Sequence, residues 1–298
     1  MTLPSGLAAA LEKLLGAPPR QVQLVSGGDI SQAARVEAAG GTFLVKWHAH
    51  PPRPAPGWPG MFEAEARGLQ LLASAKTVRV PAVLGFGEPT NNSPAFIAME
   101  WIERGTDSQR AAAALGKGLA ALHHRTTSVY GLDHHNYCGA TPQDNTQCES
   151  WVEFYGERRL GFQLALAARR GLMPTARRGR LERVIAGLDR WIDESACQPS
   201  LLHGDLWGGN WLAGADGEPA LIDPAVYFGD REAELAMCRL FGGFPPDFYR
   251  AYDHAWPPAP GRDGRIQLYQ LYHVLNHLNL FGESYVGHVD AILRRYAG

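Results

Sequence analysis

Near residue 102 the hydrophobic pattern of the chain changes period, and that change restricts what it can fold into. Ahead of it the pattern is mostly that of strands. Residues 21–26 alternate polar and apolar side chains, as a half-buried strand does, until Gly27-Gly28 interrupts them. Residues 33–38 and 42–47 read as two strands joined at the Gly40-Gly41 turn, and residues 78–86 and 95–102 as two more. Two helices are expected in this part. One is capped by Ser5, buries Leu7, Leu11, Leu14 and Leu15, and stops at Gly16. The other spans residues 61–74 with Phe62, Ala66, Leu69 and Leu72 on one face, after a loop holding five prolines and two glycines at 51–60. Past residue 102 the helical period dominates, at 108–124, 151–171, 178–194 and from Arg231 onward, with short strands around 201–202, 211–212 and 220–222. The expected class is α+β in two lobes: a small antiparallel β lobe with a helix over 1–102, and a larger, mainly helical lobe over 103–298.

Charge narrows the partners. Lys and Arg number 28 and Asp and Glu 30, a formal net charge of -2, which gives no electrostatic basis for nucleic acid or an anionic membrane surface. Arg169, Arg170, Arg177, Arg178, Arg180 and Arg183 fall close together and are read as a solvated helix face. The four cysteines form no C-x-x-C pair. The first residues lack a basic segment and Glu12 interrupts their apolar run, and no apolar stretch reaches the roughly 18 residues of a membrane span. A soluble, cytoplasmic monomer with reduced, buried thiols is therefore expected.

Four separated segments carry chemistry, and in their order they suit phosphoryl transfer. That reaction needs phosphates held, a metal placed, an acceptor hydroxyl oriented and developing charge offset. Gly27, Gly28, Asp29, Ile30 and Ser31 lie between two strands, where glycines let backbone N–H groups approach phosphate oxygens, although the same pattern also serves as a plain turn. Lys46 ends an apolar strand and can reach phosphates, with Glu65 on the next helix to hold its ammonium; Glu63 competes for that role. In His203-Gly204-Asp205-Leu206-Trp207-Gly208-Gly209-Asn210, Asp205 can take the acceptor's proton, and Asn210, five residues on, can offer its amide oxygen to Mg²⁺. Asp223, thirteen residues after Asn210, closes another apolar strand and can supply a second oxygen to the metal. The implied cofactors are ATP and Mg²⁺.

The H-x-D-x4-N segment resembles the protein-kinase-like fold in its small-molecule branch. More narrowly, the chain is similar to the fructosamine (ketosamine) 3-kinase family. The likeness rests on Gly27-Gly28-Asp29-Ile30-Ser31, Phe43-Leu44-Val45-Lys46, residues 139–145, residues 151–155, residues 202–210, Asp223-Pro224-Ala225 and Phe241-Gly242-Gly243-Phe244-Pro245. The resemblance implies Lys46 on the ATP phosphates with Glu65 as partner, Asp205 as base, Asn210 and Asp223 on Mg²⁺, and Met99, Glu100, Trp101 and Ile102 as the linker whose backbone reads adenine. It also implies phosphorylation of the 3-hydroxyl of a ketoamine, whose product decomposes and frees the amine. Many relatives place a redox-sensitive Cys where this chain has Asp29, so that switch is not expected here.

The acceptor side is less determined. Trp207 can stack on a sugar ring or brace the loop. Asp230 and Glu234 can bind the amine of a ketoamine or fix the following helix. Gln143 and Asn145 can line the sugar site or form a polar loop. His203 is expected to hold its loop, and His273 and His277, at i,i+4, are read as core residues more than as metal ligands. A choline- or aminoglycoside-type kinase, or a nucleotide-binding pseudokinase, are the alternatives.

Overall fold

In a computed structural model, residues 3–25, 30–52, 54–106 and 108–297 are described. The first elements are α1 (Ser5–Leu15), β1 (Gln21–Val25), β2 (Gln32–Ala38), β3 (Gly41–His48), α2 (Met61–Ala75), β4 (Val83–Gly87) and β5 (Ala95–Glu100). The strands form one antiparallel sheet in the order β1-β2-β3-β5-β4. Two-residue periodicity divides its faces. Val45, Trp47, Phe96 and Ala98 pack with Leu7 and Leu11 of α1, while Ile97, Met99 and Leu44 pack with Phe62, Ala66 and Leu69 of α2. Removing Leu7 or Leu11 down to Ala would cost about 2–5 kcal/mol. Lys46 shares its parity with Leu44, so the strand itself turns Lys46 toward α2. Three expectations need adjusting. No side chain caps α1, in which Ser5 is the first helical residue after Pro4. The strand expected over 78–86 is confined to β4, and Arg79 instead forms a lone parallel bridge with Ala220. The strand expected over 95–102 ends at Glu100.

The remainder holds α3 (Ser108–His123), the hairpin β6 (Asn136–Cys138) and β7 (Thr141–Gln143), α4 (Trp151–Glu153), a π-helical segment at Phe154–Gly161, α5 (Phe162–Arg169) and α6 (Thr175–Ala186). Next come β8 (Ser200–Leu202), β9 (Trp211–Ala213), β10 (Pro219–Leu221) and β11 (Tyr227–Gly229), then α7 (Arg231–Leu240), α8 (Pro246–Ala255), α9 (Arg262–Phe281) and α10 (Val286–Tyr296). The helix expected over 151–171 is thus one run with a π-helical stretch inside it, a feature common at functional sites. One core gathers Trp151, Phe154, Tyr155 and Leu160 with Leu271 and Leu275 of α9 and Ile292 and Leu293 of α10. A second packs Leu115 and Leu119 of α3 against Phe248 and Tyr252 of α8 and Leu201 of β8. The arginine cluster is not simply a solvated face: Arg177 makes a bidentate pair with Asp290 of α10, and Arg170 bonds the Asn279 carbonyl. Among the described residues, no helix is long and apolar enough to cross a membrane.

Candidate active site

β3, α2 and the turn after β10 meet at Lys46. Its ammonium lies 2.8 and 3.0 Å from the two Glu65 carboxylate oxygens and 2.9 Å from Asp223 Oδ1. Glu63 is settled by helix geometry: it pairs with Arg67 one turn along α2, on the outer face, and leaves Lys46 to Glu65. Burial works against a charge on Lys46, but Asp223 and Glu65 outweigh it and hold the ammonium above the ordinary lysine range. Of the phosphate-loop residues, Gly27, Gly28 and Asp29 lie outside the described residues, while Ile30 reaches across to Gly139 at the tip of the β6–β7 hairpin.

The loop after β8 is fixed from beneath. Glu234, on α7, accepts the backbone N–H groups of His203 at 2.9 Å and Gly204 at 2.7 Å. The same carboxylate accepts from His123 Nε2 at 3.0 Å, and His123 Nδ1 accepts from the Tyr252 hydroxyl at 2.7 Å. Burial opposes ionisation of Glu234, but the bonds from His123 and His203 hold its pKa below the usual value. His203 Nε2 donates to the Ile222 carbonyl at 2.8 Å, and its Nδ1 takes the Asp205 N–H at 3.3 Å. One neutral tautomer satisfies both bonds, in keeping with a pKa lowered by burial. Gly204 has φ +85°, and a Cβ there would strike the Ala225 carbonyl, which explains glycine at this place. Gly208 and Gly243 let two backbones touch, which ties Phe241-Gly242-Gly243 to the same loop.

Asp205 stands on this loop with its side chain 19% exposed. Burial, then the charges of Asp223 and Glu234, push its pKa up to about 7 against a hydrogen bond from Asn210. Asn210 donates Nδ2 to the Asp205 carbonyl at 2.7 Å and to its Oδ2 at 3.3 Å, which turns its own amide oxygen away from those bonds. Asn210 also accepts the Ile222 N–H at 3.0 Å, so the two metal candidates are joined through backbone. Asp223 has φ +56°, a left-handed conformation that non-glycine residues adopt at a cost and often at functional sites. An amide oxygen and a carboxylate are the hard oxygen donors that suit Mg²⁺, so Asn210 and Asp223 fit such an ion. In the linker, Glu100 turns its carboxylate to Arg79 at 2.6 Å and to the Ala82 N–H at 3.1 Å, while Met99 and Ile102 are buried. Trp101 bonds Glu103 at 2.8 Å.

The residues expected on the acceptor side divide in two. Trp207 is 38% exposed and meets Phe241 edge-on at 6.4 Å. The polar ones are buried and engaged inside the protein. Asp230 caps α7 through the Glu232 N–H at 2.8 Å and accepts the Tyr269 hydroxyl at 2.9 Å. Gln143 bonds Asn136 at 2.8 Å and the Ala225 carbonyl at 3.0 Å, and accepts the Tyr272 hydroxyl at 2.6 Å. Asn145 bonds Asn136 and accepts from Arg159, each at 2.8 Å. Glu234 and Gln143 thus bond the backbone of the Asp205 and Asp223 loops, Asn145 is tied to the second through Asn136 and the Val226 carbonyl, and Asp230 is engaged with α7 and α9. Arg159 was not anticipated: fully buried on the π-helical segment, it lies over the rings of Phe154, Tyr227 and Tyr272. Only an arginine within an otherwise helical apolar pattern hinted at it. His273 also gains a place here, with Nδ1 3.9 Å from Asp205 Oδ1.

The fructosamine kinase family model matches residues 6–297. The chain is 40% identical over 277 residues to a protein of Lactiplantibacillus plantarum named probable ketoamine kinase, covering 93% of this chain and 94% of that one. It is 40% identical over 280 residues to the chloroplastic protein-ribulosamine 3-kinase of Oryza sativa subsp. indica, covering 92% and 78%. A solved structure from Thermobifida fusca, named as a fructosamine-3-kinase, matches with a TM-score of 0.85 and 34% identity over 99% of both chains. An aminoglycoside phosphotransferase solved with AMP-PNP and hygromycin B shares the fold at 17% identity and a TM-score of 0.64, over 99% of both chains.

Proposed function

Because the chain belongs to the fructosamine kinase family, we propose that it moves the γ-phosphoryl group of ATP onto the 3-hydroxyl of a ketoamine, in deglycation. The observation that carries this reading is the 2.9 Å approach of Lys46 to Asp223, which brings the sheet and the loop region to one point beside Asp205. Lys46, fixed by Glu65, binds the α- and β-phosphates. Asn210 and Asp223 would hold Mg²⁺, which when bound would offset phosphate charge. Asp205 accepts the proton of the acceptor hydroxyl as its oxygen attacks the γ-phosphorus, and the bond to the ADP oxygen breaks. The backbone of Met99, Glu100, Trp101 and Ile102 reads the adenine edge. Trp207 offers its exposed ring to the sugar. An aminoglycoside acceptor calls for an acidic wall, and Asp230 and Glu234, the acidic candidates for one, are turned inward.

The test is ATP consumption with Mg²⁺ across fructoselysine, ribuloselysine, choline and kanamycin. Turnover is expected with the ketoamines, and the product should carry phosphate on O3. Turnover with choline or kanamycin and none with ketoamines would refute the reading. ATP binding without turnover of any acceptor would favour a pseudokinase.

A further inference from the structure

His273 sits on α9 with 4% of its surface exposed, and its Nδ1 is buried with no hydrogen-bond partner. A buried ring nitrogen left this way costs about 1–3 kcal/mol, so its retention beside the reacting centre calls for an explanation. The atom faces Asp205 Oδ1 at 3.9 Å, beyond direct hydrogen-bond range. Asp205 Oδ2 is already taken by Asn210. Cys138 Sγ completes the enclosure, within 4.8 Å of both groups. Its thiol is pushed well above the ordinary range by burial, so it forms a neutral floor. The imidazole is neutral as well, its pKa lowered to about 3 by burial, His277 and Arg159. Its ring is steadied edge-on by Tyr272, whose hydroxyl is tied to Gln143. Two polar atoms therefore stand side by side, one of them on the proposed base and the other unsatisfied.

Oxygens on adjacent carbons of a sugar can meet such a pair together, one at each atom. We infer that His273 is a specificity-determining residue that binds the hydroxyl on the carbon next to the one phosphorylated, which in a ketoamine is the 4-hydroxyl. A hydroxyl both donates and accepts, so it suits either tautomer of the ring. The contact orients the 3-hydroxyl toward Asp205 Oδ1 and discriminates against acceptors that lack the neighbouring oxygen. This inference rests on the ketoamine reading above.

The experiment measures kcat and KM of the full-length enzyme for fructoselysine and for its 4-deoxy analogue, with wild type, His273→Leu and His273→Asn. His273→Leu should lower kcat/KM for fructoselysine by roughly tenfold to a hundredfold, with the ATP KM unchanged. The 4-deoxy analogue should already be poor for the wild type by a similar factor and lose little more in His273→Leu, because the two changes remove one contact. His273→Asn keeps a polar atom and should recover part of the loss; it also serves if the leucine variant fails to fold. Equal losses on both substrates, or no loss on either, would overturn the inference. If the wild type turns over no ketoamine, the function itself is wrong and this inference falls with it.

Discussion

The donor side and the acceptor side of the cleft are built by different means. Around Lys46, charge is met by charge: Glu65 and Asp223 bracket one ammonium across long sequence separations. On the acceptor side, the acidic and amide side chains point into the protein, several of them holding backbone, so that the exposed Trp207 and the proposed contact at His273 are what remain for a substrate. The donor side thus fixes a reactant common to many kinases through electrostatics, and the acceptor side selects through shape and single polar contacts. A change on the first should strike turnover, and a change on the second should strike acceptor recognition.

The largest expected effect is that of Asp205→Asn, which should lower kcat by about a hundredfold to ten-thousandfold while calorimetry finds ATP bound almost as in the wild type. A variant that kept its turnover would remove the base from the donor–acceptor boundary. Next in size is Glu234→Gln. The amide keeps one acceptor for two backbone N–H groups and turns an NH₂ toward them, so stability should fall by about 1–3 kcal/mol in denaturant unfolding, and kcat with it. An unchanged kcat would mean that the loop needs no brace from α7.

Acidity supplies a third measurement. With the Asp205 pKa raised to about 7, kcat/KM should fall tenfold per unit as pH drops below that value, because the base becomes protonated. Stability runs the other way. A carboxyl whose folded pKa is raised contributes stability below the ordinary carboxylate range and loses it as pH rises through about 7. Asp205→Asn should therefore gain in melting temperature relative to wild type between pH 5 and pH 8; a constant difference would mean that Asp205 titrates normally. The smallest effect is expected from Trp207→Ala, a rise in acceptor KM of about threefold to tenfold with the ATP KM unmoved. A parallel rise in both would make Trp207 a loop brace.

What could be read in advance follows the same division. Strand parity turns Lys46 toward α2, and helix spacing separates Glu63 from Glu65, so the ion pair follows from periodicity once the sheet exists. The H-x-D-x4-N spacing identified the loop carrying Asp205 and Asn210 because a loop needs its residues in order. Gln143, Asn145, Asp230 and Glu234 were recognised as polar residues near the site, but polarity does not say which way a side chain points. Their direction depends on distant partners such as Asn136, Tyr272 and His123. The π-helical segment and Arg159 were hidden for a related reason, since a one-residue widening of a helix leaves its apolar period nearly intact. His273 looked like half of an i,i+4 pair, whereas the geometry sets it beside Asp205 and turns His277 to Phe241, 4.8 Å away.

The packing of α10 bears on how the chain is made. Trp151 and Tyr155 share a core with Ile292 and Leu293, which lie about 140 residues later in the sequence. At ribosomal speeds that separation corresponds to on the order of ten seconds of synthesis. Through that interval the aromatic surface of the π-helical run awaits its cover, and Arg177 its Asp290. The sheet cores against α1 and against the Phe62–Leu69 face of α2, by contrast, draw on the first hundred residues alone, while Lys46 still waits for Asp223 and Leu72 for α3. During synthesis the two faces of the sheet can thus close before the aromatic core around Trp151 does.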